Sequence, residues 1–168
     1  VKEGKRLSIL HENLIQDIEQ EMKLSENIIM VVTGDLLNQA NYKYCENAIA
    51  FFEKVSKILT GKLKGLYIVP GNHDKVRNVM DEELVAMYNM LKQQKKNQEF
   101  YQQYWKHLKM CFSEYTDMLK QIYSIFSDIK LPATIEQETY GVETIQIDGK
   151  NICFLLFNTA WSCLGKND

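Results

Sequence analysis

The sequence predicts an α/β fold, and three observations carry that prediction: two short β-branched runs, an amphipathic helix between them, and a glycine turn after each run. Ile28-Ile29-Met30-Val31-Val32 and Leu66-Tyr67-Ile68-Val69 lack the polar alternation of a half-exposed strand, so both read as buried strands. Between them, residues 41–59 place Ala48, Phe51, Phe52, Val55 and Leu59 at spacings of three and four, one apolar stripe with a charged back. Strand, helix and strand make a βαβ unit with parallel strands. The loops leaving the carboxyl ends of such strands lie side by side, where open α/β sheets bind their ligands. Thr33-Gly34-Asp35 leaves the first strand and Pro70-Gly71-Asn72-His73-Asp74 leaves the second, so Asp35 and Asn72 are expected to converge.

Ahead of this unit, Leu7, Leu10, Leu14, Ile15, Ile18 and Met22 mark an amphipathic helix that packs on the sheet, with His11 on its solvent side. After the second motif the character changes. Residues 78–131 contain no Gly or Pro and hold nine of the eighteen aromatics, which reads as a helical insertion within one domain spanning 1–168. A break near Lys95-Lys96-Asn97 separates a shorter helix carrying Leu84, Met87, Tyr88 and Leu91 from a longer one. In the longer one Tyr104, Leu108, Cys111, Tyr115, Met118, Ile122, Ile125 and Ile129 alternate spacings of four and three, flanked every seven residues by Trp105, Phe112, Leu119 and Phe126. So wide a stripe must be buried, as a helical hairpin packed on itself and on the sheet edge, as a cap over the site, or as a self-association contact. Beyond Pro132 a β-hairpin is expected: residues 142–147 alternate, Asp148-Gly149 supplies the turn, and Ile152 to Phe157 returns as a buried strand that runs on into Asn158 and Trp161.

Composition sets the outer bounds. The chain has 168 residues, 45% of them hydrophobic, with no apolar stretch near the roughly 20 residues of a membrane span and no signal-peptide pattern at its start. A soluble, cytoplasmic protein is the expectation. Twenty basic against 22 acidic residues, a formal charge of −2, give no electrostatic footprint for nucleic acid or an anionic membrane. Cys45, Cys111, Cys153 and Cys163 form no C-x-x-C pair and read as reduced thiols.

The loop residues have chemistry in common. A carboxylate such as that of Asp35 can bridge two cations about 3.5–4 Å apart, the spacing used in two-metal displacements at phosphorus. An Asn72 amide adds a neutral oxygen ligand, and His73 can donate a proton to a departing oxygen or steady charge on a phosphoryl group. On the strength of Gly34-Asp35 and Gly71-Asn72-His73-Asp74 the chain resembles the calcineurin-like metallophosphoesterases, whose recurring blocks are D-x-H, G-D, G-N-H-D or G-N-H-E, and two later His-containing blocks. The resemblance covers roughly residues 5–77 and, more weakly, 151–162. It implies a metallophosphoesterase-type β-sandwich flanked by helices and two divalent cations, Mn, Fe, Zn, Ni or Mg. By the same resemblance Asp35 and Asn72 are metal ligands and His73 a catalytic residue supported by Asp74, while Asn38, Lys75 and Arg77 lie where a phosphate would be met.

The departures from the family pattern narrow it. His11 stands in Leu10-His11-Glu12, not in a D-x-H block, and no histidine follows His107. The chain therefore reads as an internal piece of a longer polypeptide without the first and last metal-binding blocks. Asn38 and Gln39 replace the second aspartate and the arginine of the G-D-x-x-D-R-G block of the family's protein phosphatases, so the resemblance is closer to the bacterial-type phosphodiesterase branch. The expected activity is metal-dependent phosphoester hydrolysis, most simply of a phosphodiester, by water activated between two cations, with a nucleotide among the candidate substrates. Two other readings stay open: a degenerate domain of the same fold that binds without turnover, and a DNA nuclease of the same superfamily.

Overall fold

The computed structural model describes residues 2–37, 42–76, 82–132, 140–160 and 163. In chain order its elements are helix α1 (Lys2–Glu21), strand β1 (Ile28–Val32), helix α2 (Tyr42–Leu59), strand β2 (Leu63–Ile68), helices α3 (Glu82–Gln93), α4 (Asn97–Met110) and α5 (Ser113–Ile125), and strands β3 (Tyr140–Ile147) and β4 (Lys150–Phe157). Mixed helix and strand give the α/β class expected.

β1 and β2 pair in parallel, with Met30 opposite Leu66 and Val32 opposite Ile68. This is the βαβ unit that the hydrophobic periods require. Leu66 and Ile68 join Ala48, Phe52, Val55 and Leu59 of α2 in the core, and Ile28, Met30 and Val32 pack against them. The two strands differ in burial. β2 is sealed over its last four residues, whereas β1 is only partly covered and Val31 is 49% exposed. The expectation of two fully buried strands is corrected for β1: Phe154 of β4 lies on Tyr67 of β2 and Tyr123 of α5 bonds to Leu66, so the cover falls on β2.

α1 packs on α2, with Ile15, Ile18 and Met22 turned to the core and Leu14 exposed. His11 is not on the solvent side as expected. Its ring lies 5.3 Å from that of Phe51, in the contact between the two helices. Lys62, just before β2, closes the end of α1 by donating from Nζ to the carbonyls of Met22 at 2.8 Å and Ser25 at 3.0 Å, a cation at a helix carboxyl end.

The aromatic segment forms three helices rather than two. The long stripe is buried as its periodicity demands, but the helix carrying it breaks at Cys111-Phe112 and ends at Ile125. The cause is tertiary. The Cys111 carbonyl accepts the Val76 N–H at 2.8 Å, and Phe112 takes φ −108° and ψ 8°, outside the helical region. α4 packs on α3, while α5 turns away to pack on α2. Tyr115, Met118, Leu119, Ile122, Tyr123 and Phe126 thus enter the same core as β2. The Tyr123 hydroxyl donates to the Leu66 carbonyl at 2.7 Å, so α5 is bonded to the backbone of β2 itself. Burial pushes this phenol, and that of Tyr115, above the ordinary tyrosine range.

β3 and β4 form the antiparallel hairpin, Glu143 opposite Phe154 and Ile147 opposite Lys150, around a turn in which Asp148 (φ 50°) and Gly149 (φ 75°) are both left-handed, as a tight two-residue hairpin turn requires. Phe154 stacks on Tyr67 of β2 with ring centroids 4.5 Å apart, which seats one face of the hairpin on the parallel pair. The other face is open. Leu155 is 62% and Phe157 57% exposed, and Cys153 is exposed too, so the reading of residues 152–157 as a buried strand is corrected to a strand covered on one face only. None of Cys45, Cys111, Cys153 and Cys163 is in a disulfide. Among the described residues no helix is long and apolar enough to cross a membrane.

Candidate functional site

The two motif loops meet at the carboxyl ends of β1 and β2, and they meet closely. Gly34 has φ +107°, a conformation that side chains disfavour, and a Cβ there would overlap the Gly71 amide nitrogen and lie 2.6 Å from Gly71 Cα. A Cβ on Gly71 would in turn overlap Asp35 Oδ1 and lie 2.6 Å from the Asp35 nitrogen. Each glycine is therefore required by the backbone of the other motif. Asp35 itself sits at φ 59°, in the left-handed region that aspartate tolerates better than most residues.

Asp74 fastens the loops together. It is fully buried, and its carboxylate accepts three backbone N–H groups: Asp35 at 2.7 Å and Gly71 at 2.8 Å on Oδ2, and Leu37 at 2.7 Å on Oδ1. Two of these donors come from the first motif and one from the second. A fourth bond runs the other way, from the His73 N–H to Asp35 Oδ1 at 3.1 Å. Burial pushes the Asp74 carboxyl above its ordinary value; the three backbone bonds pull it down, and the neighbouring Asp35 adds to the rise. The sequence reading placed Asp74 among the catalytic residues. Enclosed and bonded to three backbone N–H groups, it holds the two loops together, the support role that the resemblance implies for it.

The sequence reading of Lys75 as a substrate contact meets a similar correction. Lys75 is 3% exposed, and its charge acts on the Cys111 thiol beneath the loop. So little exposed surface makes Lys75 a poor contact for a phosphate arriving through solvent. Asn72 and His73 are half-buried beside Asp35 and remain reachable. Asn38 and Arg77, the other two expected substrate contacts, lie outside the described residues, as does Trp161, while Asn158 is buried at the end of β4.

The donor set fits part of a divalent-cation centre. Asp35 offers a carboxylate oxygen and Asn72 an amide oxygen from adjoining loops, hard donors of the kind such ions take. Among the described residues no group of three or more His, Cys, Asp or Glu side chains converges to hold a metal ion.

What the sequence did not disclose is the contribution of the helical segment. Val76 is held by Cys111, so the loop carrying His73 is anchored from the α4–α5 junction. Only the absence of Gly and Pro at the junction was visible in the sequence, and that favoured an unbroken helix.

With this geometry in place, the comparisons with known proteins are direct. A sequence model of the calcineurin-like phosphoesterase family matches residues 10–150, and the chain belongs to that family. No curated protein matches it, and no solved structure does. Membership brings a general metal-dependent phosphoesterase role, acting on phosphoester substrates with divalent ions.

Proposed function

We propose that this domain hydrolyses a phosphodiester, with Asp35 and Asn72 supplying oxygen ligands to divalent cations and His73 acting on the phosphoryl group. One observation carries the reading: the buried Asp74 carboxylate joins the two motifs by three backbone bonds, so Asp35, Asn72 and His73 are presented together at one sheet edge. When bound, the cations supply Lewis-acid polarisation of the phosphoryl oxygens and acidify water. The chain's own residues do the rest. Asp35 takes the His73 N–H on Oδ1, which fixes the backbone from which the imidazole projects. His73 then stands where it can pass a proton to the leaving oxygen or share the charge that gathers on phosphorus. Asp74 is a positioning residue in this scheme. Asn38 and Arg77 are proposed to meet the substrate, Asn38 because it follows Leu37, whose amide Asp74 holds, and Arg77 because it follows the anchored Val76. The pair of helices α3 and α4 is proposed as an accessory element beside this site, α5 belonging to the core.

The test is hydrolysis of bis(p-nitrophenyl) phosphate by the full polypeptide, with and without added Mn²⁺, alongside Asp35→Asn and His73→Ala. Metal-dependent turnover lost in both variants is the expected result. Turnover that survives both substitutions sinks the assignment, and metal binding without any turnover points to a domain that binds its phosphoester without cleaving it. Activity that grows with DNA length would move the substrate from a small diester to a nucleic acid.

A further inference from the structure

The helical segment between the site loop and α5 is a closed excursion. The chain leaves the loop at Val76 and returns at Cys111, where the Val76 N–H meets the Cys111 carbonyl at 2.8 Å, so residues 77–110 begin and end at one point. Val76 follows His73 by three positions, which puts that root within about 11 Å of the His73 backbone. Among the described residues none from Glu82 to Met110 joins the main core. Tyr88 and Leu108 are buried outside it, and the Tyr104 hydroxyl of α4 donates to Met87 Sδ of α3. α3 and α4 therefore form an arm with an interior of its own, about 20 Å long by the rise of its 12 and 14 helical residues.

The arm also carries charge of one sign. Between Leu91 and Met110 stand Lys92, Lys95, Lys96, Lys106 and Lys109 against a single acid, Glu99, in a chain whose formal charge is −2. The near-neutral whole conceals this because α5, with Glu114 and Asp117 against Lys120, belongs to the core and not to the arm. Three of these lysines crowd the tip. There the Lys96 N–H donates to the Leu91 carbonyl at 2.8 Å and the Lys95 N–H to the Lys92 carbonyl at 3.1 Å, with Lys95 at φ 58°. A helix ending of this kind favours glycine at the left-handed position, because a Cβ there is unfavourable. Lysine at that position projects a charge that glycine could not, at the expense of the backbone. Lys92 lies over the Tyr88 ring and Lys96 pairs with Glu99, whereas Lys95 and Lys106 make no ion pair or ring contact among the described residues.

We propose that the α3–α4 arm is a docking surface for a polynucleotide: Lys92, Lys95 and Lys96 at its tip hold the phosphate chain that flanks a diester in the site. The choice of a nucleic acid over an acidic protein rests on the function proposed above, since the arm is rooted at the loop carrying His73; the affinity of the tip for a phosphate chain does not. Lysine contacts to phosphates position a strand without reading its sequence, and they release counterions, so the binding weakens as salt rises. At roughly 3.4 Å per phosphate of a stacked strand, a tip about 20 Å from the root is reached by a strand of about six nucleotides. Shorter substrates engage the site alone.

The experiment is fluorescence anisotropy of the full polypeptide with labelled single-stranded DNA of three and of twelve nucleotides, in EDTA, over a series of salt concentrations. The parent should bind the longer strand at least about tenfold more tightly, with an affinity that falls as salt rises. The triple variant Lys92→Gln, Lys95→Gln, Lys96→Gln should lose about tenfold for the longer strand and about two units of the log–log salt slope, three phosphate contacts at roughly 0.7 each. Lys54→Gln, Lys57→Gln, Lys64→Gln removes the same charge from α2 and β2 and should keep the slope. Lys95→Gly should weaken binding of the longer strand while raising the unfolding midpoint, a pairing that a merely structural lysine does not give. Equal affinity for the two lengths, an equal loss in the α2 and β2 control, or competition by poly-aspartate as strong as that by unlabelled DNA of equal charge overturns the proposal. If the parent leaves bis(p-nitrophenyl) phosphate uncleaved, the proposed function fails while the anisotropy still decides the arm.

Discussion

The described residues form two two-stranded sheets, and these are held by opposite means. β3 and β4 are neighbours in sequence; a two-residue turn sets their register and eight residues on each side pair in step. β1 and β2 are separated by a whole helix, and their ends are fastened by a carboxylate whose donors Asp35 and Leu37 lie 39 and 37 positions away. The hairpin leaves one face open to solvent with Tyr140, Val142, Leu155 and Phe157 upon it, whereas the loops of the parallel pair admit not one extra methyl group. Local pairing yields a sheet tolerant of its surroundings. Non-local pairing requires each loop atom to be placed by an atom from elsewhere in the chain, and the proposed site lies on that side because convergence is what a binding site needs.

The contrast is broken hardest at the glycines. Gly34→Ala should destabilise the protein by more than about 3 kcal/mol, since it combines a disfavoured backbone with overlap on Gly71, and should abolish phosphoesterase activity. Urea unfolding of this variant beside Gly149→Ala provides the comparison. At Gly149 an added Cβ meets nothing, and only the positive φ opposes it, at a cost of about 1–2 kcal/mol. A parent-like midpoint for Gly34→Ala would disprove the close approach of the loops.

Next comes the clamp. Asp74→Asn keeps one acceptor oxygen but presents an NH₂ where a second acceptor stood, facing a backbone donor. It should cost about 2–4 kcal/mol and lower turnover, with the Asp35, Leu37 and Gly71 amides exchanging faster. Equal protection of those amides in parent and variant would remove Asp74 from its positioning role.

The buried phenols give a pH dependence. Tyr115 and Tyr123 have folded-state values raised by burial, so above the ordinary tyrosine value of about 10 the unfolded chain releases protons that the folded chain retains. Stability is then fully present below pH of about 10 and declines as pH rises beyond it. Chemical denaturation at pH 8 to 11 should show this decline, and Tyr123→Phe should flatten it; an equal slope in that variant would mean that the phenol is not buried in solution.

The smallest effects belong to the hairpin's open face. Leu155→Lys should change stability by no more than about 0.5 kcal/mol, while Leu156→Ala, one residue on but turned inward, should cost about 2–3 kcal/mol. A large loss from Leu155→Lys, read by thermal unfolding, would show that this face is covered in solution.

Much of this was legible in the sequence, for identifiable reasons. β1 is bounded by residues 28 and 32 as read, and α2 begins at Tyr42, one residue from the expected start, because its stripe at spacings of three and four has no competing pattern. The meeting of the Gly34-Asp35 and Gly71-His73 loops followed from the parallel βαβ topology alone. Other features were not legible. The stripe from Tyr104 to Ile129 predicts burial correctly but carries no mark of the break at Cys111, because a carbonyl diverted to Val76 leaves the hydrophobic period intact. Lys75 reads as a loop cation from its neighbours, and only its burial in the folded chain shows it to be interior. The strand 152–157 reads as buried because its side chains are apolar on both faces, although only one face meets Tyr67.

By itself, then, the sequence determined the α/β class, the βαβ unit and the family, since periodicity and short glycine motifs are local properties written in residue order. The tertiary structure alone showed how Asp74 acts, as a buried clamp on three backbone amides, while Asp35 stays exposed. Asp35 and Asp74 are the same residue type in adjoining motifs, and they differ only in burial and in which backbone donors surround them. Those are non-local quantities, fixed once α5 has closed over the sheet.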